Sequence, residues 1–106
     1  MKNNKLLEIL RNKYNNEKIP IIINKASCSK LNELSKNKYI VDKTLLMMQF
    51  KNTIVSKLKL DSTQTIFIYY DNYILDLNKT CGEQHNKFKN DDYILYLTYC
   101  EENVFG

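Results

Sequence analysis

The sequence predicts an α+β fold in a single domain, on three observations. One long amphipathic segment, "KTLLMMQFKNTIVSKLKL", lies near the middle of the chain, with Leu45, Met48, Ile54, Val55 and Leu58 at helical spacing. Short β-branched or alternating stretches stand in pairs before and after it. A length of 106 residues with 43% apolar and 26% charged content supports one core and leaves no room for a second.

The elements follow in chain order. "NNKLLEILRNKY" places Leu6, Leu7, Leu10 and Tyr14 on one side and Lys5, Glu8, Arg11 and Lys13 mostly elsewhere, which predicts an amphipathic helix. "NNE" breaks it, Pro20 is unsuited to a helix interior, and "KIPIIIN" over residues 18–24 has the content of a buried strand. The polar connection "KASCSKLNELSKN" leads to a second short strand, "KYIVD". Asp42 or Thr44 is then expected to cap the central helix. "STQTIFIYYDNYIL" alternates Ile66, Ile68 and Tyr70 against Phe67 and Tyr69, turns at Asp71-Asn72 and returns over residues 73–75. "TCGEQHNKFKN" predicts a short helix or turn. "DYILYLTYC" predicts a last strand over residues 92–100, with Tyr93, Leu95, Leu97 and Tyr99 on one face and Ile94, Tyr96 and Thr98 on the other. One long helix across a mixed sheet, entered by a hairpin and left by another pair of strands, is the order of a ubiquitin-like β-grasp with one additional N-terminal helix. The expected layout is that helix over residues 1–14, a core over 15–99 and a flexible tail over 100–106.

Composition narrows the function. No apolar run approaches the ~20 residues that cross a bilayer, and "MKNNKLLEIL" lacks the length and cleavage site of a signal peptide, so a cytoplasmic start is expected. Cys28, Cys81 and Cys100 show no paired spacing, and His85 is the single histidine, so reduced thiols are expected and no metal or cofactor. The net charge of +4 comes from 15 Lys and one Arg, Arg11, and the scarcity of the residue best suited to phosphate forks argues against a nucleic-acid partner. "TCGE" around Gly82 holds too little glycine for a phosphate loop, and no Ser, Cys and acid arrangement accompanies His85. The chain is not expected to be an enzyme.

Certain stretches are more specific: "KY" followed by "KIPIII.KA", then "KNKYIVDKTLLMMQF", "IFIYYDNYI", "DDYILYLTY" and the ending "EENVFG". On these the sequence resembles the autophagy-related protein 8 family of ubiquitin-like modifiers, the type of the GABA-receptor-associated protein and microtubule-associated light chain 3. The resemblance implies a modifier joined through Gly106 to phosphatidylethanolamine, acting in autophagosome formation. It also implies modifier-activating and modifier-conjugating enzymes and a deconjugating cysteine protease as partners. The location implied is cytoplasmic, and the membrane of the autophagosome or another organelle, such as a plastid-derived one, when lipidated.

The resemblance further implies receptors bearing aromatic-x-x-aliphatic motifs, added as a strand along the second strand. The aromatic pocket carries over to Leu10, Pro20, Ile22, Lys38, Ile40 and Ile94. The aliphatic pocket carries over to Tyr39, Val41, Leu45, Phe50, Thr53 and Ile54. Lys18, Lys36, Lys38 and Lys57 would meet acidic residues flanking the motif. The chain departs from the family pattern in having one front helix where two are usual, in Asp42 for a usual Pro, in Ile94 and Thr53 for bulkier walls, and in Leu6 for an acid. Two alternatives stand beside this reading: the sister family of autophagy-related protein 12, joined to a protein lysine and usually showing Trp where this chain has Phe105, and an unconjugated β-grasp binding module.

Overall fold

The computed structural model describes residues 4–103. Along the chain these form α1 (Asn4–Tyr14), β1 (Lys18–Lys25), β2 (Lys38–Asp42), α2 (Met47–Leu58), β3 (Gln64–Tyr70), β4 (Tyr73–Ile74), α3 (Cys81–Phe88) and β5 (Leu95–Asn103). The sheet order is β2-β1-β5-β3-β4, with β1 and β5 parallel at its centre and every other pairing antiparallel. This is a mixed sheet of the ubiquitin-like β-grasp, as the element order predicts.

Period-two alternation builds the core. Ile19, Ile21 and Ile23 of β1, Ile66 and Ile68 of β3, and Leu95, Leu97 and Tyr99 of β5 are buried together on one face of the sheet. Met47, Phe50, Ile54 and Leu58 of α2 complete that cluster. Helix α1 uses the other face: Leu10 is buried outside the main cluster, its helix touches β1, and the outward-facing Pro20 is buried as well.

The central helix begins later than expected, and neither Asp42 nor Thr44 caps it. Its N-cap is Leu46, whose amide is held by the Gln49 side chain at 2.9 Å. The amides of Met47 and Met48 donate instead to the carbonyls of Lys79 and Leu77, at 2.9 and 3.1 Å. A distant segment thus satisfies donors that a local cap would otherwise take. The buried face falls on Met47 rather than Met48, which is exposed.

The last strand also differs at both ends. Tyr93 lies outside it at φ 71°, and pairing with β3 continues through Thr65 with Glu102 and Gln64 with Asn103. Residues 100–103, expected in the tail, are therefore sheet; residues 104–106 lie outside the described residues.

Helix α3 is capped by Thr80, which accepts from the Glu83 amide at 3.1 Å while Glu83 accepts from the Thr80 amide at 2.8 Å. Its start is pressed onto the approach to α2: the Gly82 amide donates to the Lys43 carbonyl at 2.8 Å. A Cβ at Gly82 would lie 2.7 Å from that oxygen and 2.8 Å from the Lys43 Cβ. Gly82→Ala is expected to cost about 1–3 kcal/mol by overpacking, visible as a lower urea midpoint at unchanged slope.

Candidate functional site

Strand β2 is the outermost strand on its side of the sheet, and the register shows which of its groups face outward. The Ile23 amide donates to Asn37 at 2.9 Å and the Lys43 amide to Glu17 at 3.0 Å. In the antiparallel β1–β2 pair, hydrogen-bonded and non-bonded positions alternate. Lys18–Asp42, Pro20–Ile40 and Ile22–Lys38 are therefore non-bonded pairs. The amides of Lys38, Ile40 and Asp42 face away from β1, toward the open edge. Pro20, without an amide proton, occupies a position where β2 needs none.

Beside that edge, the predicted aromatic-pocket residues fall into adjoining rows across the outer face. Pro20 is opposite Ile40, and Ile94 immediately precedes Leu95, the partner of Ile21, which brings it alongside Pro20. Ile22 is flanked by Lys38 on one side and Tyr96 on the other. Leu10 and Pro20 are closed off and form the floor, whereas Ile22 and Ile94 are half-buried and Ile40 is 43% exposed. Tyr96 was not among the predicted residues. Its spacing two residues beyond Ile94 on an alternating strand is the signal that places it on this face, and its hydroxyl donates to the Asp92 carboxylate at 2.5 Å.

The predicted aliphatic-pocket residues occupy the seam between β2 and α2. Phe50 and Ile54 are 1% and 0% exposed, so they support the seam from beneath, with Val41 and Leu45 half-buried and Thr53 exposed above them. The Thr53 hydroxyl is turned onto the Gln49 carbonyl at 3.1 Å. Tyr39 meets Phe50 edge-on at 5.7 Å and donates its hydroxyl to the Lys36 carbonyl at 2.7 Å. Burial raises the Tyr39 pKa, so this hydroxyl remains a donor at neutral pH.

The lysines separate into two groups. The ammonium groups of Lys36 and Lys57 lie 5.2 and 5.9 Å from the Tyr39 ring centroid, with Lys38 the next residue along the same strand. Lys18 is at the opposite end of the hairpin, paired with Asp42 at 3.1 Å and 5.6 Å from the Tyr14 ring centroid. Four residue steps, or about 13 Å, separate it from Ile22 and Lys38 in the register. Lys18 therefore stands apart from Lys36 and Lys57 along the hairpin.

The model of the family described as autophagy protein Atg8 ubiquitin like matches residues 2–106. This chain belongs to the Atg8 family of ubiquitin-like autophagy proteins. It is 35% identical over 97 residues to autophagy-related protein 8e of Arabidopsis thaliana, a match covering 92% of this chain and 79% of that protein. Its fold is similar to the crystal structure of Trypanosoma brucei ATG8, with a TM-score of 0.83 at 24% identity over 97% of this chain and 87% of that one.

Away from the edge, this Atg8-family chain carries a cleft of about 500 Å³ bordered by Ile19, Lys43, Gly82, His85 and Tyr93, and a groove of about 420 Å³ bordered by Tyr73, Ile74, Gln84 and Phe88. Burial pushes the Cys81 thiol up to about 12, so it stays protonated. His85 is buried, with Nε2 2.8 Å from the Tyr93 carbonyl and its ring against Tyr93 at 4.5 Å. Desolvation holds its pKa below 6.5, although the Tyr93 bond acts in the opposite direction. The unfolded chain, with an imidazole near 6.5, takes up the proton first. The stability linked to neutral His85 is present above about pH 6.5 and is lost as pH falls below it. Urea midpoints should decline from about pH 7 to 5, above the range where Asp and Glu protonate, and the decline should flatten in His85→Gln.

Proposed function

We propose that this protein is a modifier joined through Gly106 to phosphatidylethanolamine, and that its β2 edge docks receptors bearing aromatic-x-x-aliphatic motifs with acidic flanks. The observation that carries the docking reading is the open edge of Lys38, Ile40 and Asp42 between two apolar seams, beside Lys36 and Lys57. An extended peptide pairs with such an edge through its backbone, alternate side chains enter the seams, and the lysines favour acids. Family membership supports the conjugation reading; Gly106 lies outside the described residues.

On this reading the chain is a substrate rather than an enzyme. An activating enzyme adenylates the Gly106 carboxylate, and a cysteine thiol displaces the nucleotide to form a thioester. The ethanolamine nitrogen then attacks the carbonyl, an amide forms, the carbon–sulfur bond breaks and the enzyme thiol is released. Gly106 has no Cβ to crowd that attack. Among the described residues no helix is long and apolar enough to cross a membrane, and the two acyl chains supply the anchor. A cysteine protease reverses the link, and the conjugate resides on the autophagosome or a related organelle membrane.

Mass spectrometry of the C-terminal peptide from membrane and soluble fractions of the native cells tests this. A phosphatidylethanolamine adduct on Gly106 is expected in the membrane fraction. A branched peptide on a lysine would replace the lipid reading with the protein-linked one, and free Gly106 in every fraction, starved cells included, would overturn conjugation.

A further inference from the structure

We infer that the backbone amide of Asp42 is a third docking rung, so that a partner strand must continue beyond its four-residue motif to satisfy it. This deepens the docking reading and rests on it. Lys18 and Asp42 form a non-bonded pair in the register, which turns the Asp42 amide away from β1. The Asp42 carbonyl is already taken by the Leu45 amide at 3.0 Å. Its carboxylate is held by Lys18 at 3.1 Å. The edge therefore ends in a donor alone, and what meets it must bring a carbonyl and no further amide.

Length makes the same point. From Lys38 to Asp42 the edge runs four residue steps, about 13 Å at ~3.3 Å each. A four-residue motif spans three steps, about 10 Å, and cannot reach both ends. Charge decides which flank supplies the missing carbonyl. Lys36 and Lys38 stand at the start of β2 and Lys57 shares the Tyr39 ring with Lys36, so acidic flanks belong at that end. The Asp42 end is electrically balanced, Asp42 with Lys18 and Glu17 with Lys43 at 3.6 Å. The flank opposite the acidic one meets Asp42 through its backbone, so its side chains are free to vary while its presence is required.

Calorimetric titration of the full chain with synthetic peptides tests this. The probe is an acidic stretch followed by Trp-Ala-Ala-Leu and an amidated end, then the same peptide lengthened past Leu by one, two and three alanines. Lengthening is expected to tighten binding by about threefold to tenfold at one step, the worth of a single net hydrogen bond. Asp42→Asn, which keeps the amide, should retain that gain, and Asp42→Pro, which lacks it, should lose it. Circular dichroism spectra and urea midpoints close to those of the native chain show that both variants are folded. Independently of any variant, a trans-alkene in place of the added carbonyl should cancel the gain in the native chain. An equal gain in Asp42→Pro, a gain that survives the alkene, or no gain in the native chain would each overturn the inference. Failure of the shortest peptide to bind the native chain would overturn the docking reading itself, and the inference with it.

Discussion

Phe50→Ala is expected to cost about 3–5 kcal/mol, the range for truncating a fully buried aromatic. Phe50 is 1% exposed, takes the edge of Tyr39 at 5.7 Å, and belongs to the cluster with Met47, Ile54 and the inward residues of β1 and β5. Its removal leaves a void between α2 and the sheet that flanking Ile and Leu side chains fill only in part. Small domains are stable by about 5–15 kcal/mol, so the variant should lose roughly a fifth or more of its stability. Urea denaturation followed by circular dichroism measures this. A loss below about 1.5 kcal/mol would show that the seam collapses to fill the gap. A second consequence concerns docking. Phe50 supports the aliphatic seam from beneath, so under folding conditions the variant should also bind motif peptides less tightly, mainly through the aliphatic position.

Residues whose environment is set by their own strand or helix were legible. Ile19, Ile21 and Ile23, then Ile66 and Ile68, then Leu95, Leu97 and Tyr99 alternate because the pleat turns every second side chain inward. The Asp71-Asn72 turn was legible for a similar reason, since Asp71 adopts φ 55° between paired Tyr70 and Tyr73. Features set by distant contacts were not. The start of α2 depends on carbonyls of Leu77 and Lys79, and no pattern within residues 42–47 reveals them. The stretch from Cys100 to Asn103 reads as a polar tail, yet β3 pairs with it, and Glu101 accepts from the Lys30 amide at 3.0 Å.

The candidate site divides in the same way. Pro20, Ile22 and Ile40 follow from motif position and alternation, and the register places them together. That Leu10 and Ile54 are sealed, and so act as support rather than contact surface, emerges only from burial. The outward direction of the Asp42 amide depends on the parity of pairing, which the loop bonds at Asn37 and Glu17 fix. Sequence distance also concealed that Lys57, from the end of α2, shares the Tyr39 ring with Lys36, while Lys18 is drawn off to Asp42.

That pairing of Lys36 with Lys57 leads to the largest expected effect on binding. Replacing both with Glu should weaken an acidic motif peptide at least tenfold near 50 mM salt, because two attractive charges become repulsive within a few ångströms of the peptide flank. The loss should shrink toward about 0.5 M salt, where screening lengths fall well below the ~10 Å of 0.1 M. Both lysines are exposed. The cost to folding is therefore expected to stay within about 0.5–1 kcal/mol, mainly from the lost contacts to the Tyr39 ring. The same double substitution at Lys18 and Lys43 should do much less, since those lysines face Asp42 and Glu17 at the far end of the edge. Calorimetric titration of an acidic peptide and a matched uncharged one separates charge from shape. If the two peptides lose affinity equally, the lysines act through packing on Tyr39. If only the acidic peptide weakens, and salt erases the difference, the charge at this end of β2 selects acidic flanks, and the partner's uncharged flank is left for the Asp42 end.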